Sequence, residues 1–465
     1  MGAALGAPRA SAAPPKAGSV VVVGAGLAGL TAAYRLAAAG LDVTVYEASD
    51  RLGGRCWSLR GVFADGQVAE HGGELIHSSH LEIRQLCQEL RLDLDNLLQG
   101  EQNGTEPLYY FDGEPYTSGE AAEDFNGVYQ AMHADVSAAS YPTTYTISTE
   151  AGRALDSMSI AQWIDSRVPG GRASKFGQLL DVAYDIEYGA PCTDQSALNL
   201  LYLLGYVGQG RLRLFGKSNE KYHVRGGNDQ IVARLAAGLG KPVQTGKALT
   251  AIRRARDAYQ LTVGTEVVNA ERVVLALPFS ILPAKVDWSQ AGFSPKKAQA
   301  IRELGMGTNA KLNVGFSSRY WRTLGCNGDT YADTGYQATW EVSRAQPGTS
   351  GILVDYTGSA GAKLTGDPVP RARTCQRQLA PDLPGVRSRW DGRATLDHWT
   401  SNPWTLGSYS YYRVGQYQAF GGAEPEIEGG RVHFCGEHTT QDFQGYLNGA
   451  VATGERVAGE VLAAV

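Results

Sequence analysis

VVVVGAGLAGLTAAYRLAAAGLDVTVYE, residues 20–47, decides the reading of this chain. Val20 to Val23 is an unbroken β-branched run, as a buried parallel strand requires. It enters the loop Gly24-Ala25-Gly26-Leu27-Ala28-Gly29, and an Ala/Leu-rich helix follows to about Ala39, where Gly40 caps it. Leu41 to Tyr46 restores a strand that ends at Glu47, so the stretch is one complete β-α-β unit. In the G-x-G-x-x-G pattern the first glycine permits a tight turn. The second lets backbone approach a pyrophosphate, and the third lets helix and strand pack closely. The helix N-terminus then presents its positive dipole end to the phosphates. Glu47 closes the second strand, where ribose hydroxyls need an acceptor, and an acid there argues against an NADP phosphate. At this point NAD and FAD both remain open.

Downstream, Arg51-Leu52-Gly53-Gly54-Arg55 sets a second glycine pair between arginines, whose N–H groups and guanidinium suit the same diphosphate. One dinucleotide gripped by two consecutive glycine loops reads as FAD, with Ala48 beside Glu47 in contact with it. Helix and loop patterns run from about Leu81 to Gly216. Strands follow around Val243 to Ile252, Tyr259 to Val263 and Arg272 to Leu277, the last leaving its sheet at Pro278. Arg431 to Cys435 is another buried strand, leading to Gly436-Glu437-His438-Thr439 and a final helix over about Gly449 to Leu462. The expected fold is α/β: an FAD-binding, Rossmann-like domain assembled from 19–92, 217–290 and 393–465, with an inserted α+β substrate domain from 93–216 and 291–392. A pocket between two such domains is where substrate would meet cofactor.

Composition narrows the function. A chain of 465 residues with 43% hydrophobic content buries cores for two domains, and a net charge of -5 offers no basic field for nucleic acid or an anionic membrane. The six cysteines are scattered with no metal-ligand spacing, so free thiols and no metal are expected. The longest apolar run, Val20 to Leu30, is too short for a membrane span, and no hydrophobic tail precedes Val465, so a soluble protein without an anchor is expected. Residues 1–18 are rich in Ala, Gly and Pro and read as a disordered tail. Within it Ala10-Ser11-Ala12 resembles a signal-peptidase site, which leaves the location open between cytoplasm and export.

With these motifs placed, the chain resembles the flavin amine oxidase superfamily, which includes monoamine oxidases, polyamine oxidases, L-amino acid oxidases and lysine-specific histone demethylases. The likeness rests on Gly24 to Glu47, Arg51 to Arg55, Lys311, Trp399 to Tyr411 and Phe434 to Glu455. It implies that Glu437 of the Gly436-Glu437 pair lies by the ribityl chain, Leu249 near the adenine, and the backbone around Leu447 near the isoalloxazine. It also implies that Lys311, in LGMGTNAKLNVGF, reaches flavin N5 through a water. Trp404 and the loop Gly72-Gly73-Glu74-Leu75 belong to the implied cofactor contacts. The Gly-Ser-Tyr-Ser-Tyr core at 407–411 is closest to polyamine oxidases and demethylases. Monoamine oxidases tether their flavin through a cysteine where this chain has Ser408, so the resemblance implies non-covalent FAD. Tyr409 and Tyr446 match the two tyrosines that flank the substrate amine, and parallel rings of that kind steady a cationic nitrogen. His77 aligns with a histidine or acid of polyamine oxidases, and its ordinary pKa suits proton handling near neutral pH.

The implied reaction is hydride transfer from the α C–H of a small amine to flavin N5, hydrolysis of the imine to aldehyde plus amine or ammonia, and reoxidation by dioxygen to hydrogen peroxide. One departure bears on the substrate. Many L-amino acid oxidases place a carboxylate-clamping arginine where this chain has Leu75, which lowers that alternative without removing it, because Arg60 or Arg225 can reach the pocket from elsewhere. A dehydrogenase serving a quinone or a protein acceptor is a second alternative. Acids between Asp181 and Asp194 are candidates to line a path for cations. A homodimer is the family's common habit.

Overall fold

The computed structural model describes residues 18–210, 212–362 and 365–465, so the predicted tail with its Ala10-Ser11-Ala12 stretch lies outside the described residues except for Gly18, whose N–H donates to Glu271. Strand β1 (Ser19–Val23) begins one residue before the valine run, and Ser19 pairs with Asp42. Helix α1 (Leu27–Ala38) and strand β2 (Asp42–Tyr46) complete the first unit. With β3 (Arg272–Leu275) and β4 (Val432–Phe434) they make an all-parallel sheet in the order β2-β1-β3-β4. Four consecutive buried valines hold its centre, each contributing roughly 1.5–3 kcal/mol by leaving water. The C-terminal helix Leu447–Leu462 lies against α1 at such close range that a Cβ on Gly454 would meet the Ala28 carbonyl at 2.6 Å. Segments from opposite ends of the sequence thereby share one core of Val22, Leu30, Val274, Val451 and Val457.

A four-stranded sheet, from Glu266–Ala270 at one edge to Asp287–Gln290 at the other, follows in the same part of the molecule. The largest sheet has seven strands. Asn309–Phe316 and Gly351–Gly358 are adjacent buried strands within it, and Trp390–His398 is the edge strand beyond Asn309–Phe316. Its far edge is made by Glu106–Phe111 and Glu114–Tyr116, within a region the sequence presents as helix and loop. Glu106–Phe111 contains Pro107, and its neighbour, Cys326–Ala332, is remote in sequence, so no local pattern marks it. Helices pack over this sheet, among them α2 (Lys175–Tyr188), whose Leu179, Leu180, Ala183 and Tyr184 are buried. The six cysteines are all free and buried. Among the described residues no helix is long and apolar enough to cross a membrane, and no three His, Cys, Asp or Glu side chains gather as a metal site.

Candidate active site

The three glycines of the first loop occupy three different environments. Gly24 has φ +101°, and a Cβ there would lie 2.6 Å from the Ala276 carbonyl oxygen. A Cβ on Gly29 would lie 2.0 Å from the Gly24 carbonyl oxygen, so this glycine sets the helix against the strand. At Gly26 no atom stands within 4 Å of the Cβ position, and the residue lines a cavity of about 1130 Å³. That open space at a helix N-terminus is the cradle a pyrophosphate needs. Glu47 is fixed at its rim by the Ala25 N–H at 2.8 Å and by the N–H and hydroxyl of Ser49, each at 2.9 Å.

The same cavity runs on past Ala48, Gly53, Gly54 and Arg55 to Gly72, Gly73, Leu75, Leu249, Trp404, Gly436 and Leu447. Arg55 ties the first loops to the C-terminal segment, donating to Glu437 Oε1 at 2.9 Å and to the Ser408 carbonyl at 2.5 Å. Burial pushes the Glu437 carboxyl up, but Arg55, His438 and the Ser410 hydroxyl outweigh it and leave the group below the usual carboxylate range. The chain of donors and acid suits a dinucleotide whose diphosphate lies at Gly26 and whose polyol passes Glu437. Ser408 directs its hydroxyl to Asn309 Oδ1 at 2.5 Å.

Beyond this point the walls become aromatic. Tyr409 and Tyr446 line the cavity with Lys311, Glu74 and His77, so every predicted site residue except Gly29 faces one continuous space. Both tyrosines are held by the last turn of α2. The Tyr409 hydroxyl donates to the Ile186 carbonyl at 3.1 Å and meets the Tyr356 hydroxyl at 2.9 Å, and the Tyr446 hydroxyl donates to Glu187 at 2.8 Å. Lys311 sits on a strand buried at all eight positions, so its ammonium cannot turn to solvent. It donates to Glu74 Oε2 at 2.5 Å and to the Gly72 carbonyl at 3.3 Å, while Trp340 Nε1 donates to Glu74 Oε1 at 3.0 Å. Burial raises the Glu74 carboxyl, and Lys311 more than reverses this. His77 stands edge-on to Tyr446, 5.0 Å between centroids, in contact with the Ser218 hydroxyl. Burial lowers its pKa to about 4, so it is neutral at pH 7.

Of the acids between Asp181 and Asp194, only Glu187 lines the cavity. Burial raises it to about 7. Its signal was available in the sequence, since it stands one helical turn after buried Ala183, on the apolar side of α2. Glu220, Tyr356 and Trp340 escaped the sequence reading. Tyr356 is opposite Lys311 in the strand register, a pairing no local pattern encodes. Arg60 is bound to Asp229 and Gly226, and Arg225 to Asp93 and Asp95. Among the described residues Arg51 and Arg55 are the arginines that line the cavity, both in the second glycine loop.

A dinucleotide cradle continuous with a buried aromatic chamber defines a flavoprotein oxidoreductase, in which the cofactor's reactive end meets a small organic substrate. The family model described as flavin containing amine oxidoreductase matches residues 27–462, and the chain belongs to that family: it is a flavin-dependent amine oxidoreductase. It is 25% identical to a probable flavin-containing monoamine oxidase A of Dictyostelium discoideum over 95% of this chain and 97% of the relative. Identity to the nicotine dehydrogenase of Pseudomonas putida is 26%, over 95% of this chain and 88% of that protein. Wild-type putrescine oxidase bound to putrescine has the same fold, with TM-score 0.81 at 23% identity, covering 96% of this chain and 99% of that one.

Proposed function

We propose that the protein is an oxidase of small amines that holds FAD non-covalently and uses dioxygen as its acceptor. The observation that carries this reading is the continuity of one cavity from the open space at Gly26 to Tyr409, Tyr446 and Lys311. Gly26, Arg55, Glu47 and Glu437 would hold the cofactor. Ser408 offers no thiol for a covalent tether. Once bound, FAD supplies the hydride acceptor for the substrate's α C–H and hands the electron pair to dioxygen as hydrogen peroxide.

The protein's contribution is position and charge. Tyr409 and Tyr446, each anchored through its hydroxyl to α2, orient the substrate nitrogen. Glu187, beside Tyr446, attracts the ammonium form on entry and accepts a proton as the amine becomes neutral, which its pKa of about 7 allows. The Lys311–Glu74 pair keeps a fixed dipole at the inner wall. His77, neutral at pH 7, serves as a hydrogen-bonding wall residue and not as a stored proton. The imine leaves to hydrolyse to an aldehyde or ketone. With both cavity arginines committed to the cofactor end, the chamber has no guanidinium among the described residues to clamp an amino acid carboxylate.

The test is anaerobic titration of the purified yellow protein with monoamines, diamines and amino acids, followed by admission of air with peroxide measured. Bleaching by amines, rapid recolouring and one peroxide per amine are expected. A protein that bleaches only with amino acids, or that recolours over minutes and needs a quinone, would overturn the reading.

A further inference from the structure

We propose that Glu220 is the specificity-determining acid of the chamber and receives the second ammonium group of a diamine whose first nitrogen lies between Tyr409 and Tyr446. The inference rests on the amine-oxidising reading of the cavity. Glu220 lies on the segment that joins the helix Ala197–Leu204 to the strand Tyr222–Val224. Two features of this residue cost stability. Its backbone has φ +44°, a conformation unfavourable to any residue carrying a Cβ. Its carboxyl stands at the cavity wall without a hydrogen bond or ion pair among the described residues, and burial raises it to about 8. Strain and an unpaired acid at one position, in the wall of a binding cavity, mark a group whose partner is a ligand.

That partner is a cation, and it is not the reacting nitrogen. Glu187 already stands beside the tyrosine pair, bound to the Tyr446 hydroxyl, and so serves the reacting end. Glu220 lines the cavity together with Tyr331, on whose phenol its charge acts, and its N–H donates to His77 Nδ1 at 3.3 Å. Aromatic faces beside an acid suit a methylene chain that ends in an ammonium. Among the described residues the cation that acts on Glu220 is Arg344, which does not line the cavity; it is bound to Glu101 at 2.8 Å and to the Glu341 carbonyl at 3.1 Å, its Nη2 has no hydrogen-bond partner, and its single charge is shared among Asp329, Glu101 and Glu220. Asp329, Glu187 and Glu74 act on Glu220 in the opposite sense, disfavouring its charge until a cation arrives. A diamine supplies one ammonium per acid. A monoamine leaves Glu220 unpaired, and an amino acid brings a second negative group into an acidic chamber.

The experiment compares holoenzyme and Glu220→Gln on linear α,ω-diamines and on n-alkylamines of equal chain length, reading kcat/KM from flavin reduction. In the wild type the diamine-to-monoamine ratio is expected to exceed unity by about tenfold or more, and in Glu220→Gln to fall by at least about tenfold. Glu220→Asp, which keeps the charge but shortens the reach, should fall between. Flavin content of each variant is read beforehand, and Glu220→Asp carries the comparison if Glu220→Gln does not fold. A wild-type ratio at or below one, or equal losses on both substrates, overturns the proposal while leaving amine oxidation standing. Failure of every amine to bleach the flavin overturns both.

Discussion

Gly26 has a backbone any residue can adopt, with φ -71° and ψ 175°, and nothing of the protein fills its Cβ position. A methyl group there costs the fold almost nothing and occupies the space a pyrophosphate needs. Gly26→Ala is therefore expected to change the stability of the cofactor-free chain by less than about 0.5 kcal/mol. Its FAD dissociation constant should rise about tenfold or more, measured by equilibrium dialysis. Equal affinity in the two proteins would place the diphosphate elsewhere. Glu187 invites the opposite kind of test, in which shape is kept and charge removed. Burial raises its pKa to about 7, so the carboxylate forms as pH climbs through neutrality, and kcat/KM should climb with it. Glu187→Gln should lose this limb near pH 7 and retain the separate rise at alkaline pH where substrate ammonium deprotonates. An unchanged profile across pH 6–8 would remove Glu187 from the chemistry. The residues of the two glycine loops were legible in the sequence because short-range geometry demands them. Glu187 could be singled out of its run of acids only by its place one turn after Ala183 on the apolar side of α2, and Glu220 not at all, because no local pattern marks the loop position that faces the cavity.

At the level of elements, the last turn of α2 is the bracket on which the chamber is built. The Ile186 carbonyl accepts from Tyr409 and, at 2.8 Å, from Asn309 Nδ2, which links α2 to the strand that carries Lys311. The helix is ended by Gly189 at φ +64°, and a Cβ at that position would lie 2.1 Å from Asn309 Oδ1 and 2.7 Å from the Thr308 nitrogen. Gly189→Ala is expected to destabilise the holoenzyme by about 1–3 kcal/mol in thermal denaturation, from backbone strain and the clash together. It should lower kcat/KM by more than Gly170→Ala, a left-handed glycine in a turn at the other end of α2 that touches only Ser174. Parallel losses of stability with unaltered kinetics would mean that α2 does not position the tyrosines. The β1-α1-β2 unit could be read from sequence because its valine run, glycines and helix cap follow one another without interruption between Val20 and Glu47. The seven-stranded sheet could not, since Glu106–Phe111 finds its partner Cys326–Ala332 only after the chain has folded.

Across the whole molecule, buried and half-buried carboxyls fall into two groups with opposite dependence on pH. Glu74, Glu437 and Glu460 lie below the ordinary range, burial being outweighed by Lys311, Arg55, and His433 with Arg456 respectively. Their contribution to stability is present above the unfolded pKa of about 4 and is lost as pH falls through the folded value. Asp355, Asp382 and Glu424 are raised to about 7, chiefly by burial. Folding favours their protonated forms, so stability is fullest below about pH 4 for these groups and is lost as pH rises toward 7. Asp355 is the clearest case, since among the described residues its Oδ1 has no partner and no cation acts on it. The thermal midpoint of the FAD-saturated protein is expected to decline from pH 5 to pH 8. Asp355→Asn, which has the shape of the protonated acid and nothing to ionise, should raise the midpoint at pH 8 by roughly 2–5 °C and at pH 5 by only about a third as much. A midpoint difference that is the same at both pH values would show that Asp355 ionises freely in the folded protein. Because Glu187 titrates in the same window, the alkaline conditions expected to favour turnover are those in which the fold is expected to be least stable. Asp355 lies on the strand next to that of Lys311 without lining the cavity, so Asp355→Asn separates the two effects by moving the stability curve and leaving the pH limb of kcat/KM in place.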